Sequence, residues 1–278
     1  MVRSNSVDLH LHSLSVFPQT AIQNMRITII GSGNVATHLG AAFRNAGHTI
    51  VQVYSRDIQH ASILAYYIKA EAINDLGKIN DDTDLFIISV KDDAIGGLAK
   101  KLARYGKLLV HTSGATSLNE LSQYTANAGV FYPLQTFSKT KEINFNTVPL
   151  CIEGADEQIS RQLEALAQSI SQSVYRVDSE KRKILHLAAV FACNFPNYLY
   201  YAAGSIMEQN GLDFDMLRPL IMETAFKVQG HLPQNVQTGP AIRNDEKTMA
   251  EHLKLLQDNA GLQQVYTLLS QMIIKMDK

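Results

Sequence analysis

The sequence predicts an α/β protein with a doubly wound, mostly parallel sheet, followed by an all-helical C-terminal domain. Short apolar, strand-like segments alternate with helix-like segments as far as about Asp178, and every segment after it has helical periodicity. Near-continuous apolar strands are typical of a parallel sheet that is covered by helices on both faces. We therefore expect a first domain over residues 25–178 and a second over 179–278, with residues 1–24 as a tail.

The predicted strands are short and rich in branched apolar residues. They lie at 25–30, 48–55, 85–90, 107–113, 128–134, 148–154 and 174–177. Helices are predicted between them at 34–47, 58–70 and 155–171, and after them at 179–209, 213–229, 245–259 and 261–276. Pro196 lies inside the first of the later helices. Because proline lacks an N–H group, we expect that helix to kink or restart there.

The composition limits the class of protein. The chain has 278 residues, of which 46% are hydrophobic and 18% charged, and a formal net charge of −1. This balance argues against a general binder of nucleic acid or of anionic membranes. Cys151 and Cys193 form no metal-binding or disulfide pattern, so we predict no metal site. The apolar segment 184–206 is long enough to span a bilayer, but its polar residues favour a buried helix. We therefore expect a cytoplasmic protein with no membrane partner.

A glycine-rich loop follows the first predicted strand. Gly31, Gly33 and Ala36 form the pattern G-x-G-x-x-A between a strand and an amphipathic helix, the context that dinucleotide binding requires. The first glycine permits a tight turn, the second lets the backbone approach a pyrophosphate, and the helix N-terminus offers N–H groups to phosphate. We predict a Rossmann-type fold whose cofactor contacts include Gly31, Ser32, Gly33, Asn34 and Val35. A glycine turn without a ligand is the alternative.

The end of the second predicted strand indicates which dinucleotide binds. NAD sites usually have an acidic residue there, whereas this chain has Ser55 and Arg56, followed by Asp57. A hydroxyl beside a guanidinium suits the 2′-phosphate of NADP, because arginine binds phosphate oxygens with two donors. We therefore favour NADP over NAD. The question stays open because Asp57 has two possible roles, to cap the next helix or to face the ribose.

Two further loops are predicted to line the cofactor crevice. Val90 and Lys91 end the strand-like segment 85–90, and Ser113 ends the segment 107–113. The carboxyl ends of central strands form the crevice in this fold, so these residues are predicted to contact the cofactor. Ser113 is also a candidate to bind substrate, with an ordinary turn serine as the alternative.

Six motifs resemble those of the bacterial Rossmann-like oxidoreductases that carry a C-terminal helical domain of uncharacterised function. These are IGSGNVATHLG at 30–40, VYSRD at 53–57, HTSGAT at 111–116, FYPLQTF at 131–137, HLAAVFACNF at 186–195 and TGPAIRND at 238–245. This family is related to pyrroline-5-carboxylate reductase, the β-hydroxyacid dehydrogenases and the deazaflavin-dependent NADP reductases. The resemblance implies an NADP-binding domain, a helical domain that completes the active site, and a homodimer formed through the helical domain. It implies no particular substrate. The chain departs from the family at Tyr132, where we expect a histidine.

The segment HLAAVFACNFPNYLY at 186–200 carries the candidate catalytic residues. On an uninterrupted α-helix, His186 and Asn194 fall on one side of the helix but about 12 Å apart along its axis, too far to bond each other. Histidine is suited to proton transfer near neutral pH, so we predict His186 as the acid/base and Asn194 as an orienting group. A core helix whose polar groups are satisfied structurally is the alternative.

The loop TGPAIRND at 238–245 supplies the candidate substrate anchor. Gly239 and Pro240 are predicted to fix a turn, and Arg243 to bind a carboxylate or phosphate of the substrate. An ion pair of Arg243 with Asp245 or another acid is the alternative.

Together these features predict an NADP-dependent oxidoreductase. It would transfer hydride between nicotinamide and a carbonyl, imine or hydroxyl carbon of a small metabolite that we expect to be anionic. One alternative is an NADP reductase that uses a flavin-like coenzyme such as a deazaflavin. Another is a non-catalytic sensor in which the bound dinucleotide sets a dimer interface.

Overall fold

The computed structural model describes residues 24–277. The tail predicted over residues 1–24 therefore lies, apart from Asn24, outside the described residues. The chain forms two compact units that divide between Val190 and Phe191.

The first unit is built on one eight-stranded sheet. Its strands are β1 (Arg26–Ile30), β2 (Thr49–Tyr54), β3 (Glu71–Ile73), β4 (Leu85–Ile88), β5 (Leu108–His111), β6 (Ala128–Pro133), β7 (Leu150–Gly154) and β8 (Val174–Arg176). They lie in the order β3-β2-β1-β4-β5-β6-β7-β8. All neighbours are parallel except β6 and β7, which are antiparallel. The predicted fold class, a mostly parallel Rossmann-type sheet, is confirmed. The order reverses between β1 and β4, which is where this fold binds ligands.

Helices cover both faces of the sheet. They are α1 (Asn34–Asn45), α2 (Ile58–Ile68), α3 (Asp92–Leu102), α4 (Asn119–Ser122), α5 (Glu157–Gln168) and the first long helix after the sheet, α6 (Ser179–Ala189). Alternate residues of a strand point to opposite faces. Ile29 of β1 thus belongs to the apolar cluster under α1, α2 and α5, and Ile30 to the cluster under α3. Both side chains are fully buried.

The second unit is entirely helical among its described residues. It contains α7 (Phe195–Gln209), α8 (Arg218–Gly230), α9 (Glu246–Leu255) and α10 (Ala260–Ile274). Among residues 191–276 only Ala202 and Ala241 are buried hydrophobic residues. No helix in the described part of the chain has both the length and the apolar character needed to cross a membrane.

A π-helical segment, Val190–Asn194, interrupts the helix that the sequence predicts over 179–209. The α-helix resumes as α7 at Phe195, with Pro196 in its first turn. Because Pro196 has no N–H to donate to the preceding turn, the regular α-helical ladder is broken there, directly after the π-segment. The predicted restart near Pro196 is therefore confirmed. The angular positions calculated for an uninterrupted helix do not apply beyond Ala189, because a π-helix bonds residue i to i+5.

Candidate active site

The glycine loop lies at the carboxyl end of β1, beside β4. Gly31 adopts φ 125°, which favours glycine, and its N–H donates to the carbonyl of Tyr54 at 2.8 Å. A Cβ at Gly31 would collide with the carbonyl of Ser89, and would lie 3.3 Å from Val90 Cγ1. Three strand ends, those of β1, β2 and β4, therefore meet closely at this glycine.

Gly33 and the start of α1 have the properties of a phosphate site. A Cβ added at Gly33 would meet no heavy atom of the described residues within 4 Å. Gly33 is also the N-cap of α1, which has no side-chain cap and no acidic residue in its first turn. In contrast, Asp57 caps α2 and Asp156 caps α5 with a carboxylate. The open backbone and uncapped N–H groups suit an anionic ligand such as a pyrophosphate. Ala36, completely buried, packs behind the loop.

The other predicted loop residues have defined local roles. Ser32 is half-buried, and Val35 packs against the apolar cluster under α1. Asn34 is exposed, and its side-chain amide donates to the carbonyl of Phe137 at 2.8 Å. This bond joins the start of α1 to the FYPLQTF segment, a contact that the sequence analysis did not predict.

The residues after β2 differ in their contacts and exposure. Asp57 caps α2, since its carboxylate accepts from Gln59 N–H at 2.8 Å. Of the two roles considered for Asp57, the helix cap is the one that the structure shows. Ser55 is half-buried, with its N–H bonded to the Ile73 carbonyl at 3.1 Å. Arg56 is exposed, and no carboxylate among residues 24–277 pairs with it. Its guanidinium is thus available to a ligand.

Val90, Lys91 and Ser113 follow the central strands β4 and β5. Val90 lies against Gly31, and Lys91 is exposed at the N-cap of α3. The hydroxyl of Ser113 accepts from the N–H groups of Ala115 and Thr116 at 3.1 and 3.0 Å. Ser113 therefore acts as a turn serine, the alternative role considered for it. Its hydroxyl oxygen accepts both bonds, so the hydroxyl proton is still available to a ligand.

Next to this turn, Tyr132 and His186 form a hydrogen-bonded pair. Tyr132 is the penultimate residue of β6, His186 lies on α6, and the Tyr132 hydroxyl is 3.1 Å from His186 Nδ1. Gly114 completes the group, because a Cβ there would lie 2.7 Å from His186 Nδ1 and 2.8 Å from Tyr132 Cζ. All three residues belong to the first unit. The expected histidine at position 132 is replaced by a side chain that contacts the candidate catalytic histidine.

Burial controls the protonation of Tyr132. The side chain is 9% exposed, and it lies opposite Cys151 of β7. Burial raises the pKa of Tyr132 to about 12, with the Cys151 thiol adding to the rise and Arg182 opposing it. Tyr132 therefore stays a neutral hydroxyl at physiological pH.

Arg182 fixes α6 on the sheet. Its side chain is fully buried, with Nη1 at 2.5 Å from Glu153 Oε2 and Nη2 at 2.5 Å from the Thr116 carbonyl. Ser179 Oγ donates to the same Glu153 oxygen at 2.8 Å and accepts from Leu118 N–H at 2.9 Å. These hydrogen bonds and the ion pair, which the sequence did not predict, hold the helix that carries His186.

Asn194 and the predicted substrate loop belong to the second unit. Asn194 is exposed and is the last residue of the π-helical segment. π-Segments occur frequently at functional sites. Gly239 has φ 111°, in agreement with the predicted turn. Arg243 is exposed and forms no ion pair with any described residue. The Asp245 carboxylate accepts from Thr248 N–H at 3.1 Å and caps α9.

Comparison with known proteins agrees with this architecture. A model of the Rossmann-like domain matches residues 17–135, and a model of a domain of unknown function, DUF2520, matches residues 148–273. The first unit therefore belongs to the Rossmann class of dinucleotide-binding folds. No curated protein matches the chain.

Three solved structures are similar over nearly the whole chain. A Bacteroides fragilis protein provisionally described as an NADP oxidoreductase is 42% identical, with a TM-score of 0.86, over 92% of this chain and 100% of its own. The Myxococcus stipitatus imine reductase in complex with NADP+ is 17% identical, with a TM-score of 0.68, over 90% and 93%. A Coxiella burnetii pyrroline-5-carboxylate reductase is 15% identical, with a TM-score of 0.56, over 90% and 98%.

The chain belongs to the family of the Bacteroides fragilis protein, with which it shares 42% identity over the full length of that protein. The two more distant likenesses show the shared fold alone. The 42% identical relative and the two domain matches confirm the resemblance that the six sequence motifs predicted.

Proposed function

We propose that this protein is an NADP-dependent oxidoreductase that acts on a carbonyl, imine or hydroxyl carbon of a small anionic metabolite. The main support for the proposal is that the glycine loop and the Tyr132–His186 pair lie at the same edge of the sheet, where the parallel strands end. The glycine loop follows β1, and the Tyr132–His186 pair lies at the end of β6, beside Gly114 after β5. A phosphate-binding loop and a proton-bearing pair at one edge suit a dinucleotide-dependent reaction.

The residues of the glycine loop fit NADP. Gly31, Gly33 and the uncapped N-terminus of α1 would hold the pyrophosphate, while Ser55 and Arg56 would hold the 2′-phosphate. Val90 and Lys91 would line the nicotinamide side of the crevice. Bound NADPH supplies the hydride in such a reaction. The description of the 42% identical relative as an NADP oxidoreductase supports this choice.

His186 is the group that we propose as proton donor. Adding hydride to a C=O or C=N carbon makes the oxygen or nitrogen electron-rich, and that atom needs a proton or a hydrogen bond. A protonated imidazole can supply the proton, and a neutral imidazole can supply the hydrogen bond from its N–H. Asn194 is proposed to orient the substrate, Arg243 to bind its anionic group, and Gly239 and Ser113 to contact it. The substrate domain would begin at residue 179, where α6 carries His186.

The protein is also proposed to act as a cytoplasmic homodimer through its helical domain. The second unit buries only Ala202 and Ala241 among its described hydrophobic residues, while Phe226 is 74% and Tyr201 72% exposed. A helical unit with so small a core of its own needs a further apolar surface to cover it. Sedimentation of the whole chain at micromolar concentration is expected to give twice the chain mass. A monomer at that concentration would contradict the proposal.

Turnover tests the proposed chemistry. NADPH oxidation is followed with a panel of small keto acids and cyclic imines, comparing wild type with His186→Ala. We expect a fall in kcat of about 10²–10⁴ for a lost acid/base. His231→Ala, which removes an exposed histidine of the second unit, is the control and should leave kcat unchanged. NADPH binding with no turnover on any substrate would support the sensor and count against the enzyme. A His186→Ala variant with wild-type kcat would reject His186 as the proton donor.

Cofactor preference is tested by the ratio of NADPH to NADH affinity. One phosphate contact should favour NADPH by about tenfold, or about 1.4 kcal/mol. Arg56→Gln should bring that ratio close to one, whereas Arg104→Gln, at an exposed arginine that stacks on Tyr105, should not change it. A wild-type ratio below about threefold would overturn the role of Ser55 and Arg56.

A further inference from the structure

Tyr132 and His186 contact each other through one defined pair of atoms. The hydroxyl oxygen lies 3.1 Å from Nδ1, and the rings meet edge to face, with an interplanar angle of 77°. A hydrogen bond at Nδ1 decides which nitrogen of a neutral imidazole carries the proton. If Tyr132 donates, the proton is on Nε2; if the ring donates, it is on Nδ1.

The surroundings of the hydroxyl favour Tyr132 as the donor. Burial keeps this hydroxyl protonated, with a pKa of about 12. Within residues 24–277 its only hydrogen-bond partner is His186 Nδ1. If the ring donated instead, the buried hydroxyl proton would have no partner there. A buried donor without a partner is strongly disfavoured relative to a bonded one.

We infer that Tyr132 is a positioning residue, which donates to Nδ1 and so holds neutral His186 in the tautomer that carries its proton on Nε2. The inference rests on the proposed function for its catalytic meaning, but its geometry is independent of it. A neutral imidazole in this tautomer offers an N–H donor at the nitrogen that Tyr132 does not contact. That is the form needed to polarise a carbonyl or imine.

Gly114 supports this assignment by its shape. A side chain there would displace both members of the pair, since its Cβ would lie 2.8 Å from His186 Cγ and from Tyr132 Cζ. The turn after β5 therefore leaves room for the bond to form.

Nitrogen NMR of the imidazoles tests the inference without any turnover. Protonated and unprotonated ring nitrogens resonate in separate regions, and His186→Gln identifies the His186 signals by their loss. At a pH where the ring is neutral, we expect an unprotonated Nδ1 and a protonated Nε2. His252 is an internal reference, because its Nδ1 lies 2.8 Å from the Tyr266 hydroxyl in the other unit. Tyr266→Phe should change the signals of His252 alone.

In Tyr132→Phe, both tautomers of His186 should be populated. The kcat for reduction should fall by about three- to tenfold, equivalent to the loss of one hydrogen bond. NADPH affinity should be unchanged. Tyr105→Phe is the matched control, since that hydroxyl donates at 2.9 Å to the Leu76 carbonyl away from His186. A protonated Nδ1 in wild type, or unchanged signals in Tyr132→Phe, would overturn the inference. If Tyr132→Phe fails to fold, the wild-type spectrum still decides. A His186→Ala variant with wild-type kcat would reject the proposed catalytic role of His186 but not the tautomer, and a wild type with no turnover on any substrate would reject the proposed function but not the tautomer.

Discussion

The Arg182 guanidinium and the Glu153 carboxylate form an ion pair at 2.5 Å that ties α6 to the end of β7. The arginine side chain is fully buried and that of Glu153 is 17% exposed. Because His186 lies four residues after Arg182, about one helical turn away on the same side of α6, this pair fixes the place of the candidate proton donor.

Replacing Arg182 should therefore destabilise the protein strongly. Arg182→Met keeps most of the volume but leaves Glu153 without its cation, and losing one partner of a buried pair costs about 3–5 kcal/mol. Urea unfolding of the whole chain measures the loss. Arg176→Met is the control, because Arg176 pairs with Glu157 and Glu164 at the surface, where a pair is worth up to about 1 kcal/mol. Similar losses in both variants would contradict the structural role of Arg182.

A methyl group at position 114 should impair the Tyr132–His186 pair. Gly114→Ala would place its Cβ 2.7 Å from His186 Nδ1, so one of the two side chains must move. We expect kcat to fall by more than about tenfold, since misplacing a catalytic group by a fraction of an ångström is costly. NADPH affinity should stay unchanged. Gly230→Ala, which meets no described atom within 4 Å, is the control. Full activity of Gly114→Ala would show that the pair is not needed.

The two glycines of the loop should respond differently to alanine. Gly33→Ala meets no described atom within 4 Å, so its unfolding free energy should fall only by about 1 kcal/mol or less, the cost of alanine at an N-cap, while its methyl group occupies space that a pyrophosphate would approach. NADPH affinity, measured by calorimetry, is expected to fall at least about tenfold. Gly31→Ala should lose stability as well, because φ is 125° and the Cβ collides with the Ser89 carbonyl. Unchanged NADPH affinity in Gly33→Ala would contradict the phosphate role.

Stability should fall at mildly acidic pH because of His111. Its ring is fully buried, and burial, helped by Arg182, lowers its pKa from 6.5 to about 3. As the pH falls below 6.5, the unfolded chain takes up a proton that the folded chain does not, so stability is lost progressively down to about pH 3. The slope from one such group is about 1.4 kcal/mol per pH unit. Burial lowers the pKa of His48 in the same direction.

His111→Asn should reduce that slope. Asparagine retains an acceptor for the Ser113 N–H, which donates to His111 Nδ1 at 3.2 Å, but it does not titrate. Urea unfolding at several values between pH 7 and pH 5 measures the difference. His60→Asn, at an exposed site, should leave the slope as it is in wild type. An equal slope in His111→Asn would mean that other groups cause the acid sensitivity.

Local pattern was sufficient to predict most of the fold. Seven strands, the helices α1, α2 and α5 and the glycine loop each have a signature within a few consecutive residues, whereas α3 and α4 were not predicted. The strand β3 was missed because it has only three residues at the edge of the sheet, too few to show a pattern. The π-segment was also missed, since the α-helical period was assumed to continue up to Pro196.

The missing parts of the site depend on contacts between distant positions. Tyr132 and His186 are 54 residues apart, and Arg182 and Glu153 are 29 apart. Arg182 lies in a run of charges, SEKRK, that is typical of a solvent-exposed helix face. One available signal was that Arg182 and His186 are four residues apart and so share a side of the helix.

The antiparallel pairing of β6 with β7 has a consequence for building chimeras of this protein. The DUF2520 match begins at residue 148, before β7, so Glu153 and Arg182 would be transferred together in a graft of residues 148–273. Tyr132 and Gly114 would stay with the recipient. A hybrid joined between residues 135 and 148 would therefore keep the buried ion pair, but the residues that contact His186 at positions 114 and 132 would come from the recipient protein. Matching residues 114 and 132 to the grafted helix is then the first requirement for activity.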